Sequence, residues 1–141
     1  MSVSRQHTSV RAYGVLTRDQ SVLLVRSASG LIDPPLWWLP GGGINFAETP
    51  EATLLREFAE ETGLTVTCPA LLDVASDVRR RANGDRIHTV RIIYTVQLAG
   101  GQLRDEIGGT TDQAHWFALG ELGDVNVAEY AQRALGVLAA K

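Results

Sequence analysis

Apolar and polar residues follow two different periods along this chain. Ala12 to Leu16 and Ser21 to Arg26 read as two strands, joined at Arg18-Asp19-Gln20 as a hairpin. A loop rich in Ser, Gly and Pro is expected from Ser27 to Leu36, then an extended piece from Trp37 to Leu39, ended by Pro40 and three glycines. Thr49-Pro50 opens a helix, with Thr as N-cap and Pro at the first helical position, and Gly63 stops it. Between them Ala52, Leu55, Phe58 and Ala59 share one face at helical spacing, while Glu57, Glu60 and Glu61 share another. Thr65 to Val74 and Ile87 to Leu98 predict longer strands. The loop between them carries Arg79, Arg80, Arg81 and the turn pair Asn83-Gly84. His115 to Ala118 is a short strand, and Val127 to Ala140 a second helix with Ala131, Leu135 and Leu138 facing inward. This order predicts a sheet covered by helices, an α+β sandwich.

Composition narrows the partners. The 141 residues, 45% of them apolar, suffice for one domain over 1–141 with its own core. The formal charge is −3 and no basic block interleaves with aromatics, which argues against long nucleic acid. A small anionic ligand stays open provided a metal supplies positive charge. Cys68 stands alone, so no internal disulfide forms; it is expected as a buried strand residue in a reducing cytosol. The first residues lack the apolar core of a signal peptide and no apolar run reaches membrane-spanning length, so a soluble cytoplasmic protein is expected. The sheet would leave edges that could pair into a homodimer.

Glu57, Glu60 and Glu61 lie within about 100° of helix arc. Like charges at this spacing cost only roughly 0.2–0.5 kcal/mol per pair, so a solvated acidic face is the plain alternative to a site. The surroundings favour a site. Between Glu48 and Glu61 there are five glutamates and one basic residue, Arg56. Just upstream, Gly41, Gly42 and Gly43 let backbone approach a ligand and leave carbonyls free to face a cation. Hard cations such as Mg²⁺ take oxygen ligands of this kind and complete their shell with substrate phosphates.

At this point the residues match a family. Gly42, Glu48, Arg56, Glu57, Phe58, Glu60, Glu61, Gly63 and Leu64 fill every fixed place of a pattern G-x5-E-x7-R-E-U-x-E-E-x-G-U, where U is a bulky apolar residue. The segment resembles the signature box of the Nudix hydrolases. Trp37-Trp38-Leu39-Pro40-Gly41 looks like the approach to that box, and Trp116-Phe117 with Glu121-Leu122 like a late segment of its members. Ala47 and Asn45 depart from common choices (Gly and Glu), and Phe58 is an unusual apolar residue for its place. The resemblance implies an α/β/α sandwich with a mixed central sheet, and Mg²⁺- or Mn²⁺-dependent hydrolysis of a nucleoside diphosphate linked to another group. Carried over by position, Glu57, Glu60 and Glu61 would be metal ligands, joined by the Gly41 carbonyl and supported by Glu48. Glu57 would also be the general base, or the orienter of a metal-bound water, with Arg56 holding it by an ion pair and Glu61 sharing the catalytic work.

Other candidates keep two readings. Trp37 and Trp38 should point to opposite sides, one in the core, the other at the rim or stacking on a nucleobase; Trp38 is the candidate base contact. Phe46, Tyr13 and Tyr94 fit core or rim, with Phe46 a further candidate for substrate. Arg26 ends a strand beside the expected site. Asp112, in the loop with Asp105 and Glu106, is the candidate for a further contact there. His7, His88 and His115 show no shared metal spacing. A nucleotide-sensing domain without turnover would keep the same fold but tends to lose box glutamates, and all are present here. An isopentenyl-diphosphate isomerase would need a suitably placed cysteine, and Cys68 lies after the box. A nucleoside triphosphate or modified nucleotide is the default substrate, with a sugar nucleotide or ADP-ribose as the alternative.

Overall fold

The structure is a computed structural model and describes residues 3–28 and 34–141. Its strands are β1 (Gln6–Val15), β2 (Thr17–Arg18), β3 (Ser21–Ser27), β4 (Trp37–Trp38), β5 (Gly41–Gly43), β6 (Leu64–Arg80), β7 (Arg86–Gly101) and β8 (Thr111–Ala118). Two α-helices, α1 (Pro50–Thr62) and α2 (Glu129–Ala139), join them. One sheet runs β5-β1-β7-β6 and is mixed, with β1 parallel to β7 and antiparallel to β5. The other runs β2-β3-β4, with β8 paired to β3. The expected α+β sandwich is the observed class.

The alternation of β3 explains how one sheet serves two helices. Val22 and Leu24 join a cluster containing Ala131 and Ala134 of α2, while Leu23 and Val25 join Leu54 and Phe58 of α1. All four strand residues have no exposed surface. A strand covered on both sides reads as a continuous apolar run. In β1, Tyr13 and Val15 face the α2 cluster, and Gly14 faces α1 so closely that a Cβ there would lie 2.6 Å from the Phe58 ring. Trp37 and Trp38 divide between the two clusters, as adjacent residues of an extended segment must.

The caps of α1 follow from local chemistry. Thr49 Oγ1 accepts a hydrogen bond from the Ala52 amide at 3.1 Å, and Pro50 follows it. Gly63 takes the left-handed φ of 76° and its amide returns to the Ala59 carbonyl. Arg104 then donates to the Ala59 and Glu60 carbonyls at 2.9 and 3.3 Å, a cation placed at the negative end of the helix.

Several expectations need correction. The buried stripe of α1 is Thr53, Leu54, Phe58, Glu61 and Thr62, whereas Ala52, Leu55 and Ala59 are exposed, Leu55 by 42%. Burial of a glutamate rotates the helix away from its apparent apolar face. The hairpin near residue 19 closes β2 on β3, with Asp19 and Gln20 both at positive φ, while β1 crosses into the other sheet and begins six residues earlier than expected. Arg79 and Arg80 lie in strand, not loop, because β6 and β7 continue to a tight turn in which the Arg81 amide donates to the Asp85 carbonyl. Exposed strands tolerate polar side chains, so their composition looked like loop. Cys68 is exposed at φ 52°, where the β6–β7 register breaks, and is not a buried strand residue. Part of the expected 27–36 loop, residues 29–33, lies outside the described residues. No described helix is long and apolar enough to cross a membrane.

The closeness of β1 to α1 makes a prediction. Gly14→Ala should lower stability by roughly 1–3 kcal/mol, the usual cost of overpacking a tight core, when measured by urea unfolding. An unchanged midpoint would mean that Phe58 does not rest on β1.

Candidate functional site

The glycine strand and the acidic helix meet at hydrogen-bond distance. β5 lies beside β1, with Gly42 opposite Ala12. Gly41 has φ 151°, and a Cβ there would lie 2.1 Å from the Ala12 carbonyl oxygen, so no other residue fits without backbone movement. The Gly41 amide donates to Glu61 Oε1 at 2.8 Å. One residue on, a Cβ at Gly42 would lie 2.6 Å from Glu57 Oε1. Backbone without side chains thus runs directly over two carboxylates.

Arg56 ties together the acids that precede and surround it. Its Nε and Nη2 donate to the two Glu48 oxygens at 2.9 and 3.0 Å, a bidentate pair, and Nη2 also reaches the Gly43 carbonyl at 3.2 Å. Nη1 donates to Glu57 at 2.9 Å and Glu60 at 3.4 Å. Glu48 accepts further bonds from Thr53 Oγ1 and the Asn45 amide. The Arg56 guanidinium, followed by the Thr53 hydroxyl, holds the Glu48 carboxyl down at about 2. Between Asn45 and Glu48 the chain turns through Ala47 at φ 66°, a conformation that glycine adopts with less strain. Ala47 is one of the departures from the usual box.

Glu61 is in the opposite electrostatic condition. It is 1% exposed, and its Oε2 has no hydrogen-bond partner among the described residues. Burial pushes its carboxyl up to about 9; the Gly41 amide works against this, and the charges of Glu57 and Glu106 add to it. Burial likewise raises Glu57, opposed by Arg56. Glu60, by contrast, has half its side chain in solvent. Among the described residues no three His, Cys, Asp or Glu side chains converge to coordinating distance. The donor set nevertheless fits a hard cation. It consists of carboxyl oxygens, one of them, Glu61 Oε2, buried and without a hydrogen-bond partner among the described residues.

The remaining candidates scatter. Arg26 and Asp112 satisfy one another in a fork, at 2.8 and 3.1 Å across β3 and β8. Phe46 is fully exposed, Trp38 packs against the cluster that holds Leu54 and Phe58, and Tyr13 and Tyr94 are buried. The His115 ring stacks edge-on against Phe117. Asp112 lies within β8, not in the loop before it; of the two acids in that loop, Glu106 is the one whose charge reaches Glu61, and Asp105 accepts from the Ala114 amide. Nothing in the spacing separates Glu106 from its neighbour, so sequence reading passed over it. It also passed over Arg11, Arg91 and Tyr130, although Arg11 sits at an inward position of an alternating strand.

Comparison with known proteins follows this geometry. The family model for the NUDIX domain matches residues 5–140. The chain belongs to the NUDIX family. Among NUDIX relatives it is similar to a protein of Methanocaldococcus jannaschii named ADP-ribose pyrophosphatase, 31% identical over 82% of this chain. The chain spans 65% of that protein's length. It is also 31% identical to a MutT-like protein of Streptomyces ambofaciens, over 92% of this chain and 77% of the relative. The crystal structure of a MutT NUDIX hydrolase from Burkholderia pseudomallei superposes with a TM-score of 0.79 at 26% identity, covering 94% of this chain and 98% of that one.

A buried carboxyl whose folded pKa lies above its ordinary 4.5 destabilises the fold increasingly as pH rises from there toward about 9. Glu61→Gln keeps the shape and removes that charge. In chelator at pH 8 the variant should therefore be more stable than the native chain, by on the order of 1–3 kcal/mol. The difference should vanish near pH 4; a variant less stable at pH 8 would show that Glu61 is held as a satisfied anion.

Proposed function

We propose that this NUDIX protein hydrolyses the diphosphate linkage of a nucleoside triphosphate or a nucleotide-linked metabolite, using Mg²⁺ or Mn²⁺. The observation that carries the reading is the buried, unpartnered Glu61 oxygen beside Glu57, beneath a strand with no side chains. A helix shaped by stability alone would not bury a carboxyl with one oxygen left unsatisfied. The full set of acids, Glu48, Glu57, Glu60 and Glu61, favours turnover over mere ligand sensing. The name of the archaeal relative supports ADP-ribose as one member of the substrate class, with a sugar nucleotide another.

In this reading Glu57, Glu60 and Glu61 hold the divalent ions, with the Gly41 carbonyl as a neutral ligand and Glu48 in support. The bound ions would offset the charge of the diphosphate oxygens and acidify water. Glu57 accepts the proton of the attacking water, a role suited to a carboxylate whose proton affinity is raised by burial. Arg56 fixes its orientation through the 2.9 Å bond, and the same guanidinium anchors Glu48. The amide of Gly41 positions Glu61. Gly42 makes room for the Glu57 carboxyl, and Gly43, with nothing near where a Cβ would stand, leaves room for phosphate oxygens to approach the backbone.

A screen of nucleotides with Mg²⁺, with products separated by chromatography, identifies the substrate and the bond broken. Glu57→Gln should lower kcat by about 10²–10⁴ while melting within a few degrees of the native chain. Chelator should abolish turnover, and Mg²⁺ should stabilise the native chain but not Glu61→Gln. Native turnover in Glu57→Gln, or in excess chelator, would defeat the proposal.

A further inference from the structure

On the α2 side of the central sheet, register brings two arginines together. Arg11 of β1 and Arg91 of β7 are paired positions on parallel neighbours, so both side chains rise from the same side of the sheet. Like charges placed this way repel. The Arg91 guanidinium lies 4.6 Å from the Tyr130 ring centroid, Arg11 lies 5.8 Å from that of Tyr13, and the two tyrosine rings are 4.7 Å apart. Asp77 pairs with Arg91 from an exposed position, whereas Arg11 has no carboxylate at ion-pair distance among the described residues.

Three polar atoms in this cluster are buried and unpartnered among the described residues: Nε of Arg11, Nε of Arg91 and the Tyr130 hydroxyl. Buried polar groups are normally satisfied, and leaving three unmet, two of them on the guanidinium groups themselves, is costly. An anion with several acceptor oxygens is the partner that answers both the charge and the donors. A cleft of about 170 Å³, lined by Ser76, Asp77, Arg91, Glu129, Tyr130 and Arg133 among others, opens beside the cluster. The cluster also adjoins the acidic site: Gly41, whose amide holds Glu61, is the register partner of Tyr13 in the β1–β5 pair.

We propose that Arg11 and Arg91, with the Tyr130 hydroxyl, bind a phosphate group of the substrate that is separate from the linkage being cut. This rests on the diphosphate-hydrolase reading and sharpens it, since it selects substrates with an additional phosphate. Asp77 occupies Arg91 in the free protein and yields to the ligand. The phosphate could be the third one of a nucleoside triphosphate or one carried on the far side of the diphosphate, as on a phosphorylated sugar.

Two measurements decide. Inorganic phosphate is titrated into chelator-treated protein while the arginine Nε–H resonances are followed by NMR. The Arg11 and Arg91 signals should shift saturably; Arg11→Gln should abolish the response and Arg11→Lys should weaken it. In the presence of Mg²⁺, kcat/KM is then compared within two substrate pairs: a nucleoside triphosphate against its diphosphate, and ADP-ribose phosphorylated on its terminal ribose against ADP-ribose. The native chain should favour the phosphate-bearing member of one pair, which identifies the source, and Arg11→Gln should shrink that ratio about 10-fold or more. Resonances that ignore phosphate, or ratios equal in native and Arg11→Lys or Arg11→Gln proteins that melt normally, would overturn the proposal while leaving hydrolysis intact. Saturable phosphate binding without hydrolysis of any nucleotide would instead overturn the functional reading and keep the anion site.

Discussion

The 2.8 Å bond from the Gly41 amide to Glu61 is the contact on which the site depends. It demands glycine at 41, because β5 must lie against β1 and the helix at once. It demands that α1 turn Glu61 inward, which sets Leu54 and Phe58 against the sheet and leaves Leu55 in solvent. Glu57 then falls beneath Gly42, and Arg56 reaches back to Glu48 and the Gly43 carbonyl. One buried carboxylate therefore orients a helix, a strand and an ion-pair network. That carboxyl, whose pKa burial pushes up to about 9, works against folding increasingly as pH rises above its ordinary value.

What could be read from sequence was local chemistry. Thr49-Pro50 and Gly63 bound α1 because caps act over three or four residues. The box residues identified the acidic helix for the same reason, and the sandwich followed from the order of elements. What could not be read depended on packing or register. The reach of β6 and β7 toward their turn was hidden because Ser76, Asp77, Arg79 and Arg80 are polar, yet they pair with β7 like any strand. The buried side of α1 was misassigned because hydrophobicity alone would never turn Glu61 inward. Arg26 and Asp112 each looked like ligand contacts, and only the β3–β8 pairing shows that they face each other.

The same limit explains the second cluster. Nothing links Arg11 and Arg91 along the chain, 80 residues apart, until β1 and β7 align in parallel. Tyr130 arrives from α2, whose first turn is placed by the Val127–Trp37 bridge and the bond from the Ala128 amide to the Trp37 carbonyl. The tryptophan pair thus does structural work on both faces: Trp37 seats the last helix, and Trp38 closes the layer under the first.

The irregularity at Cys68 has a consequence for association. β6 forms the outer rim of the four-stranded sheet, a long row of backbone groups on which another chain could zip. Near its start the pairing with β7 slips between Thr67 and Ala70 and again between Leu71 and Asp73, and Pro69 offers no amide hydrogen. An incoming strand would lose its continuity there, so the rim divides into a short stretch before Cys68 and a longer one from Asp73 to Arg80, and growth templated along its full length is resisted.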